Sequence, residues 1–152
     1  MITRHTLLRT SIAAATVALV ISGCGQLRPS QKMDIYEASL SSAQEVPPNS
    51  STARGTAEIQ FNTNSNVLRY KVTYSGLSGP ATGGHIHGPA PAGANAGVVV
   101  PFTGNLNVQP VEGQVNITPA QYGDLAAGLW YVNIHTAQFP GGEIRGQLRK
   151  RQ

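Results

Sequence analysis

Three histidines are the residues of this chain best suited to chemistry, and they lie in two short motifs. His85 and His87 belong to the segment Gly-Gly-His-Ile-His-Gly, and His135 ends the segment Tyr-Val-Asn-Ile-His. Residues two apart on a β-strand point to the same face, so His85 and His87 should project together, as should Asn133 and His135. If the two segments are neighbouring strands, the three imidazoles converge.

Such a convergence predicts a metal site. Imidazole is a ligand for copper, zinc, nickel and iron, and a His-x-His pair with a third histidine suits one copper or zinc ion with water as fourth ligand. Asn133, Glu143 and Arg145 are predicted to lie beside this ligand set, where an amide or carboxylate can orient an imidazole. The alternative is that these side chains form a buried hydrogen-bond network that stabilises the loops.

Other kinds of active site receive little support from the sequence. No serine lies in a nucleophile elbow, no pair of carboxylates is evident, and no phosphate loop is present. Cys24 is the single cysteine, which excludes an intramolecular disulfide, a CxxC redox pair and a multi-thiolate metal site. No stripe of basic and aromatic residues indicates a nucleic-acid partner. The sequence therefore favours a binding protein over an enzyme.

The start of the chain has the pattern of a lipoprotein signal peptide. Basic residues are followed by the apolar stretch 12–21, which is too short to span a bilayer, and two small residues then precede Cys24. This order is similar to the lipobox of bacterial lipoproteins, in which the cysteine is lipidated and becomes the first mature residue. We therefore expect a signal peptide over residues 1–23, a lipidated end and tether over 24–32, and one domain over 33–152.

Lipidation predicts a location in the cell envelope. Several acyl chains anchor a protein stably in a membrane, and similarity to other lipoproteins implies, from Gly25, the outer membrane if the host is Gram-negative. The mature chain keeps 129 of the 152 residues, enough for one domain, and its nine basic and seven acidic residues give a charge of about +2. Residues 149–151 are all basic and form either a contact for anionic headgroups or a solvated end.

Short alternating apolar and polar segments, broken by glycine, proline and asparagine, predict an all-β domain. Segments 56–61 and 67–74 flank an asparagine-rich turn and should form an antiparallel hairpin. The segment 44–48 is expected to end an edge strand, because proline cannot donate to a sheet. A Thr-x-x-Gln capping box at Thr118 predicts one short helix over residues 119–127. About seven to nine short strands with one helix indicate an immunoglobulin-like or Greek-key β-sandwich.

Four motifs together resemble the CHRD domain, a module named after the animal protein chordin and also found in bacterial secreted proteins. They are Gln-Glu-Val-Pro-Pro at 44–48, His-Ile-His-Gly at 85–88, Asn-Ile-His-Thr at 133–136 and Gly-Glu-Ile-Arg-Gly at 142–146. The resemblance covers residues 34–149, essentially the whole mature domain. It implies a fold similar to immunoglobulin-like β-sandwiches and no settled activity for the bacterial members.

Two functions are therefore open. The first is a lipid-anchored, non-enzymatic module of the cell envelope that binds an envelope protein or glycan, or associates with itself as a homo-oligomer. The second is an envelope metal-binding protein that uses His85, His87 and His135 to hold copper or zinc. A tight, stoichiometric metal ion that is lost in a His87→Ala variant would favour the second function.

Overall fold

The computed structural model describes residues 32–152. The predicted signal peptide, the lipidation site at Cys24 and most of the predicted tether lie outside these residues, so those expectations stay predictions. Within the described part, no helix is long and apolar enough to cross a bilayer.

Nine strands and one α-helix make up the described part of the chain, which confirms the predicted all-β class with one short helix. A short 3-10 helix, Ser42–Gln44, follows the first strand. The elements are β1 (Met33–Ser41), β2 (Arg54–Asn62), β3 (Val67–Ser75), β4 (Ala81–His87), β5 (Val98–Pro101), β6 (Val111–Asn116), α1 (Pro119–Ala126), β7 (Tyr131–Thr136), β8 (Ile144–Gln147) and β9 (Arg149–Lys150).

The strands pair in one antiparallel sheet with the order β5-β4-β7-β8-β1-β2-β3-β6, and β9 pairs with β1. β2 and β3 pair over all nine residues of each strand, so the predicted hairpin is confirmed. Its turn is stabilised by Asn62, whose Oδ1 accepts the backbone N–H groups of Asn64 and Ser65. Such side-chain bonds to the backbone two and three residues ahead are what favours asparagine in turns.

The sheet curls around one core. Strands β5, β4, β7 and β8 form one half, β1, β2, β3 and β6 form the other, and β1 joins β8 through the pair Ser41–Arg145. Buried side chains of both halves belong to a single hydrophobic cluster, in which Tyr70 stacks on Phe102 with ring centroids 4.6 Å apart. The predicted sandwich is thus realised as two facing halves of one near-barrel sheet, because the β1–β8 pairing connects them.

The helix α1 begins as the capping box predicts. The Thr118 side chain accepts the backbone N–H of Gln121, and the Gln121 side chain accepts the backbone N–H of Thr118. Pro119 lies in the first turn, where its missing N–H costs no hydrogen bond. The helix ends at Ala126, one residue before the predicted end, and Gly128 follows with φ of +72°.

The segment 44–48 departs from its prediction. β1 is an interior strand between β2 and β8, and the chain leaves it through the 3-10 turn rather than along a sheet edge. The strand has already ended six residues before Pro47, and the segment returns over the sheet and buries Glu45, which is 5% exposed. The prediction of an edge strand is wrong because this glutamate finds an amide partner on the sheet, the side chain of Asn133.

Candidate metal centre

Strands β4 and β7 bring the two histidine motifs side by side. They pair antiparallel, with His85 opposite Asn133 and His87 opposite Tyr131. The isoleucines that alternate with the histidines are fully buried in the core. Since side chains alternate across a strand, His85, His87 and His135 all project from the outer face of the sheet.

The three imidazoles lie close enough to share one ion. One nitrogen of each ring can be chosen so that all three lie within 4.8 Å of one another. His85 Nδ1 and His135 Nε2 are 3.1 Å apart, and two nitrogens that bind zinc at about 2.0–2.1 Å in a tetrahedral site are about 3.3 Å apart. Two of the three nitrogens therefore already have ligand spacing, and a shift of at most about 1.5 Å brings the third into range.

Backbone carbonyls fix which nitrogen is free in two of the rings. His135 Nδ1 lies 3.0 Å from the Pro140 carbonyl oxygen, and His87 Nδ1 lies 3.1 Å from the Ala96 carbonyl oxygen. A carbonyl oxygen only accepts, so each Nδ1 carries the proton and each Nε2 keeps its lone pair. Histidines that bind metals are commonly oriented by such an acceptor on their other nitrogen.

The Nε2 atom of His87 indicates a ligand most directly. It is buried and has no hydrogen-bond partner among the residues that the structure describes. A buried polar atom without a partner costs free energy, and native structures rarely leave one uncompensated. A metal ion between the three rings would supply the missing partner.

His85 behaves differently, because its partner is another imidazole. Since His135 Nε2 keeps its lone pair, the 3.1 Å contact requires His85 Nδ1 to carry the proton and donate it. A metal ion held by these rings would take the place of this shared proton, and His85 would then carry its proton on Nε2. In the absence of metal, the hydrogen bond holds the two rings at the spacing that the ion needs.

All three histidines are held in the neutral form. Burial lowers the pKa of His85, and the neighbouring rings of His135 and His87 lower it further. Burial also lowers the pKa of His87, outweighing the effect of the Ala96 carbonyl, and the pKa of His135, outweighing that of the Pro140 carbonyl. A neutral imidazole is the metal-binding form, so the three rings are ready to bind at neutral pH.

Glu143 is fully buried and accepts four hydrogen bonds. Its Oε1 accepts from Ser51 Oγ at 2.7 Å and from the Ser78 N–H at 2.8 Å, and its Oε2 accepts from Ser78 Oγ and Thr136 Oγ1 at 2.7 Å each. Burial alone would raise the pKa of Glu143, but these hydrogen bonds outweigh it and keep the pKa below its ordinary value. The carboxylate joins the loops before β2 and β4 to the end of β7.

Arg145 reaches the histidines through an aromatic ring. Its guanidinium carbon lies 3.4 Å from the centre of the Tyr131 ring, and that ring stacks on His87 with centroids 4.9 Å apart and planes 4° apart. The guanidinium also donates to Asn95 Oδ1 at 2.9 Å and to the Ala94 carbonyl at 2.7 Å. The stack therefore holds the plane of the His87 ring and ties the loop between β4 and β5 to the sheet.

Glu45 is a buried charged residue of this face that sequence reasoning missed. Asn133 Nδ2 donates to both of its carboxylate oxygens at 3.0 Å. Burial raises the pKa of Glu45 to about 7, against the lowering effects of the Arg145 charge and the Asn133 hydrogen bond. Its one sequence signal was its place in the Gln-Glu-Val-Pro-Pro motif, which we interpreted as the end of an edge strand.

The structure brings the three predicted ligands together, and it gives the three predicted neighbours other partners. Asn133 donates to Glu45, Glu143 accepts from hydroxyl and backbone groups, and Arg145 donates to the loop between β4 and β5. Within residues 32–152, none of their hydrogen bonds goes to an imidazole. The atoms that orient His87 and His135 are backbone carbonyls instead, and a carbonyl has no signature in a sequence. The histidine cluster and the buried network therefore exist side by side.

Gly142 lets the chain pass over this network on its way into β8. Its φ is +133°, and a Cβ there would lie 2.4 Å from Asn133 Nδ2 and 2.7 Å from the carboxylate of Glu45. We expect Gly142→Ala to lower the free energy of unfolding by about 2–4 kcal/mol, through backbone strain and displacement of the Glu45 side chain. Urea unfolding would measure it. Gly141→Ala, where a Cβ meets nothing within 4 Å, is the control, and equal losses in both variants would contradict the prediction.

A comparison with protein families agrees with the resemblance carried by the four motifs. A family model described as CHRD domain matches residues 36–148, which is about three quarters of the chain and includes His85, His87 and His135. No curated protein and no solved structure matches the chain.

Proposed function

We propose, from the premise that this chain belongs to the CHRD domain family, that it is a cell-envelope protein that binds one transition-metal ion through His85, His87 and His135. The proposed anchor is a lipid on Cys24. The observation that carries the metal role is the convergence of three neutral imidazoles, two of which have their Nε2 lone pairs set by backbone carbonyls. The proposed role is binding, and it assigns no reaction to the protein.

The donor set suits copper best. In the described part of the chain, the candidate ligand group consists of three histidines and includes no thiolate or carboxylate. Imidazole suits both copper and zinc, and the general order of divalent affinities places Cu(II) above Zn(II) for the same ligands. We therefore expect Cu(II) to bind more tightly than Zn(II), with water completing the coordination.

The candidate site lies near the end of β1 opposite to Met33, the residue that follows the predicted tether. β1 starts at Met33, next to the predicted tether, and ends at Ser41. Ser41 pairs with Arg145 of β8, which pairs with Asn133 of β7, and Asn133 in turn pairs with His85 of β4. The nine residues of β1 span about 27 Å between the first and the last. This placement supports a metal site at the end of the domain away from the membrane, where ions can exchange with solution.

Self-association, the other function predicted from the sequence, finds less support on the described surface. Among residues 32–152, the large hydrophobic side chains that are exposed are Val98 and Val108. A stable protein interface usually presents a wider apolar patch.

The basic tail is engaged in ion pairs within the domain. Lys150 Nζ lies 2.9 Å from Asp34, and Arg151 pairs with Glu37 and Glu58. These ion pairs join the tail to acidic residues of β1 and β2, which favours a solvated end of the chain over a contact with anionic headgroups.

The test is a metal titration of the full chain, purified without a histidine tag and stripped of metal with a chelator. Calorimetry with Cu(II) and Zn(II) should give one equivalent bound with a Kd below about 1 µM, which corresponds to about 8 kcal/mol of binding free energy. Absence of binding, or several weak equivalents in place of one tight equivalent, would contradict the metal role.

Metal affinity should depend on pH in a defined way. Burial lowers the pKa of each of the three histidines, so in the folded protein protons compete with the metal only below the ordinary histidine pKa of about 6.5. We expect the Kd to change less between about pH 8 and pH 6.5 than it would for three exposed histidines, and to weaken as the pH falls further. Titrations at a series of pH values would measure this. An affinity that already falls between pH 8 and pH 7 would show that the rings titrate as exposed histidines do.

A further inference from the structure

A cleft of about 380 Å³ opens between two loops that pack on the outer face of β8. One wall is the segment 43–48, and the other wall includes Ala92 and Gly93. Arg145 and Gln147 of β8 also line the cleft. Its volume lies within the range of pockets that hold small organic molecules.

Two buried ionisable side chains, the carboxyl group of Glu45 and the guanidinium of Arg145, line this cleft. Glu45 is 5% exposed and Arg145 is 2% exposed. The ion pairs of the described residues involve Lys71, Lys150 and Arg151, and neither Glu45 nor Arg145 takes part in one. The Arg145 charge acts on Glu45 without a direct contact, and burial still raises the pKa of Glu45 to about 7, so a hydrogen-bonded cation would stabilise the ionised carboxylate. The cleft is the place where such a partner can enter.

Both charged groups keep hydrogen-bonding capacity to spare. A guanidinium has five N–H donors, and Arg145 donates through Nη1 to Asn95 and through Nη2 to the Ala94 carbonyl. A carboxylate has about four acceptor positions, and Glu45 accepts from the single amide nitrogen of Asn133. Each group therefore has hydrogen-bonding positions that the described residues leave unused.

The cleft is formed before any ligand arrives. Asn95 Nδ2 donates to the Val46 carbonyl at 3.1 Å while Asn95 Oδ1 accepts from Arg145, so one side chain ties the two walls together. Gln147 Nε2 donates to two backbone carbonyls, and its Oε1 is buried without a partner in the part of the chain that the structure describes. A preformed site loses little entropy on binding.

We propose that this cleft binds a small zwitterion of the amino-acid type, with the ammonium group on Glu45 and the carboxylate on Arg145. An ammonium group donates to the spare acceptor positions of a carboxylate, and the planar guanidinium matches the geometry of a carboxylate. Val46, Pro48 and Ala92 offer apolar wall to a hydrocarbon side chain. The site uses none of the three imidazoles, so it stands independently of the metal role.

The test is a calorimetric titration of the full chain with three matched probes. L-leucine carries both charged groups, 4-methylpentanoate lacks the ammonium group, and 3-methylbutylamine lacks the carboxylate. We expect saturable binding of L-leucine and about tenfold weaker binding of each of the other two, because each leaves one buried charge without its partner. Absence of saturable L-leucine binding, or equal binding of all three probes, would overturn the proposal.

A variant separates the two charged contacts. Glu45→Gln keeps the shape of the side chain and removes its charge, so it should weaken L-leucine binding by about tenfold and leave 4-methylpentanoate binding unchanged. Glu112→Gln, on the exposed side of β6, is the matched control and should change neither. Loss of leucine affinity equal in both variants would overturn the assignment of Glu45.

The same samples keep this proposal distinct from the metal role. Glu45→Gln leaves the three imidazoles in place, so its copper affinity should match that of the wild-type chain. If the variant does not fold, the three probes on the wild-type chain decide the matter alone. Amide chemical shifts should move at residues 43–48 and 92–93 on addition of L-leucine. Shift changes confined to residues elsewhere in the chain would overturn the proposed location.

Discussion

Replacing His87 with alanine is expected to weaken Cu(II) binding by about 100-fold or more. The Nε2 atom of His87 is buried, has no partner among the described residues, and keeps its lone pair because Nδ1 donates its proton to the Ala96 carbonyl. Residues that merely orient a ligand change metal affinity by about 10–100-fold, so loss of a ligand itself should cost at least as much. Calorimetric titration of the metal-free variant would measure the loss.

Thermal unfolding gives the same prediction a second readout. Free metal at about 1,000 times the Kd stabilises a folded protein by about 4 kcal/mol, so the wild-type chain should melt at a clearly higher temperature with Cu(II) than without it. His87→Ala should lose most of this shift. Gln114→Ala, at an exposed position of β6, is the control and should keep it. A His87→Ala variant that retains the full shift would remove His87 from the ligand set.

Glu143→Ala should lower the free energy of unfolding by about 3–5 kcal/mol. The substitution removes an acceptor of four hydrogen bonds and leaves the hydroxyl groups of Ser51, Ser78 and Thr136 and one backbone N–H without their partner. Buried donors that lose their acceptor cost more than the hydrogen bonds themselves contribute. Urea unfolding at neutral pH would measure the change.

Two comparisons make the Glu143 prediction specific. Glu112→Ala removes an exposed glutamate that pairs with Lys71 at 3.3 Å, and it should cost less than about 1 kcal/mol. The hydrogen bonds hold the pKa of Glu143 below its ordinary value. The stability that this group contributes is therefore present above a pH of about 4.3 and is lost as the pH falls through the lowered pKa. Similar losses for Glu143→Ala and Glu112→Ala would contradict the structural role of Glu143.

The sequence predicted the strands and the ligands through local periodicity. Alternation placed His85 and His87 on one face, and the asparagine-rich turn defined the hairpin of β2 and β3. The adjacency of β4 and β7, which lie far apart in the chain, does not follow from the sequence of either strand. Strand order depends on long-range pairing, which local patterns do not encode.

The surroundings of the histidines were harder to predict, for a physical reason. A glutamate close to two prolines has the local features of an exposed loop, yet Glu45 is buried because the Asn133 amide on the sheet donates to its carboxylate. The carbonyls of Ala96 and Pro140 orient two imidazoles through the backbone, and any residue type could supply them. The groups that orient the imidazoles therefore depend on tertiary contacts of loops, whereas the ligands themselves could be predicted from residue type.

Counting the ligands of a bound ion tests the central claim most directly. X-ray absorption spectroscopy of the full chain loaded with one equivalent of Zn(II) reports the number and distance of the coordinating atoms. The three converging rings of His85, His87 and His135 predict three imidazole nitrogens at about 2.0–2.1 Å, with oxygen from water completing the shell. A shell of oxygen atoms with one or no imidazole would contradict the metal site and leave the histidines as part of the buried network.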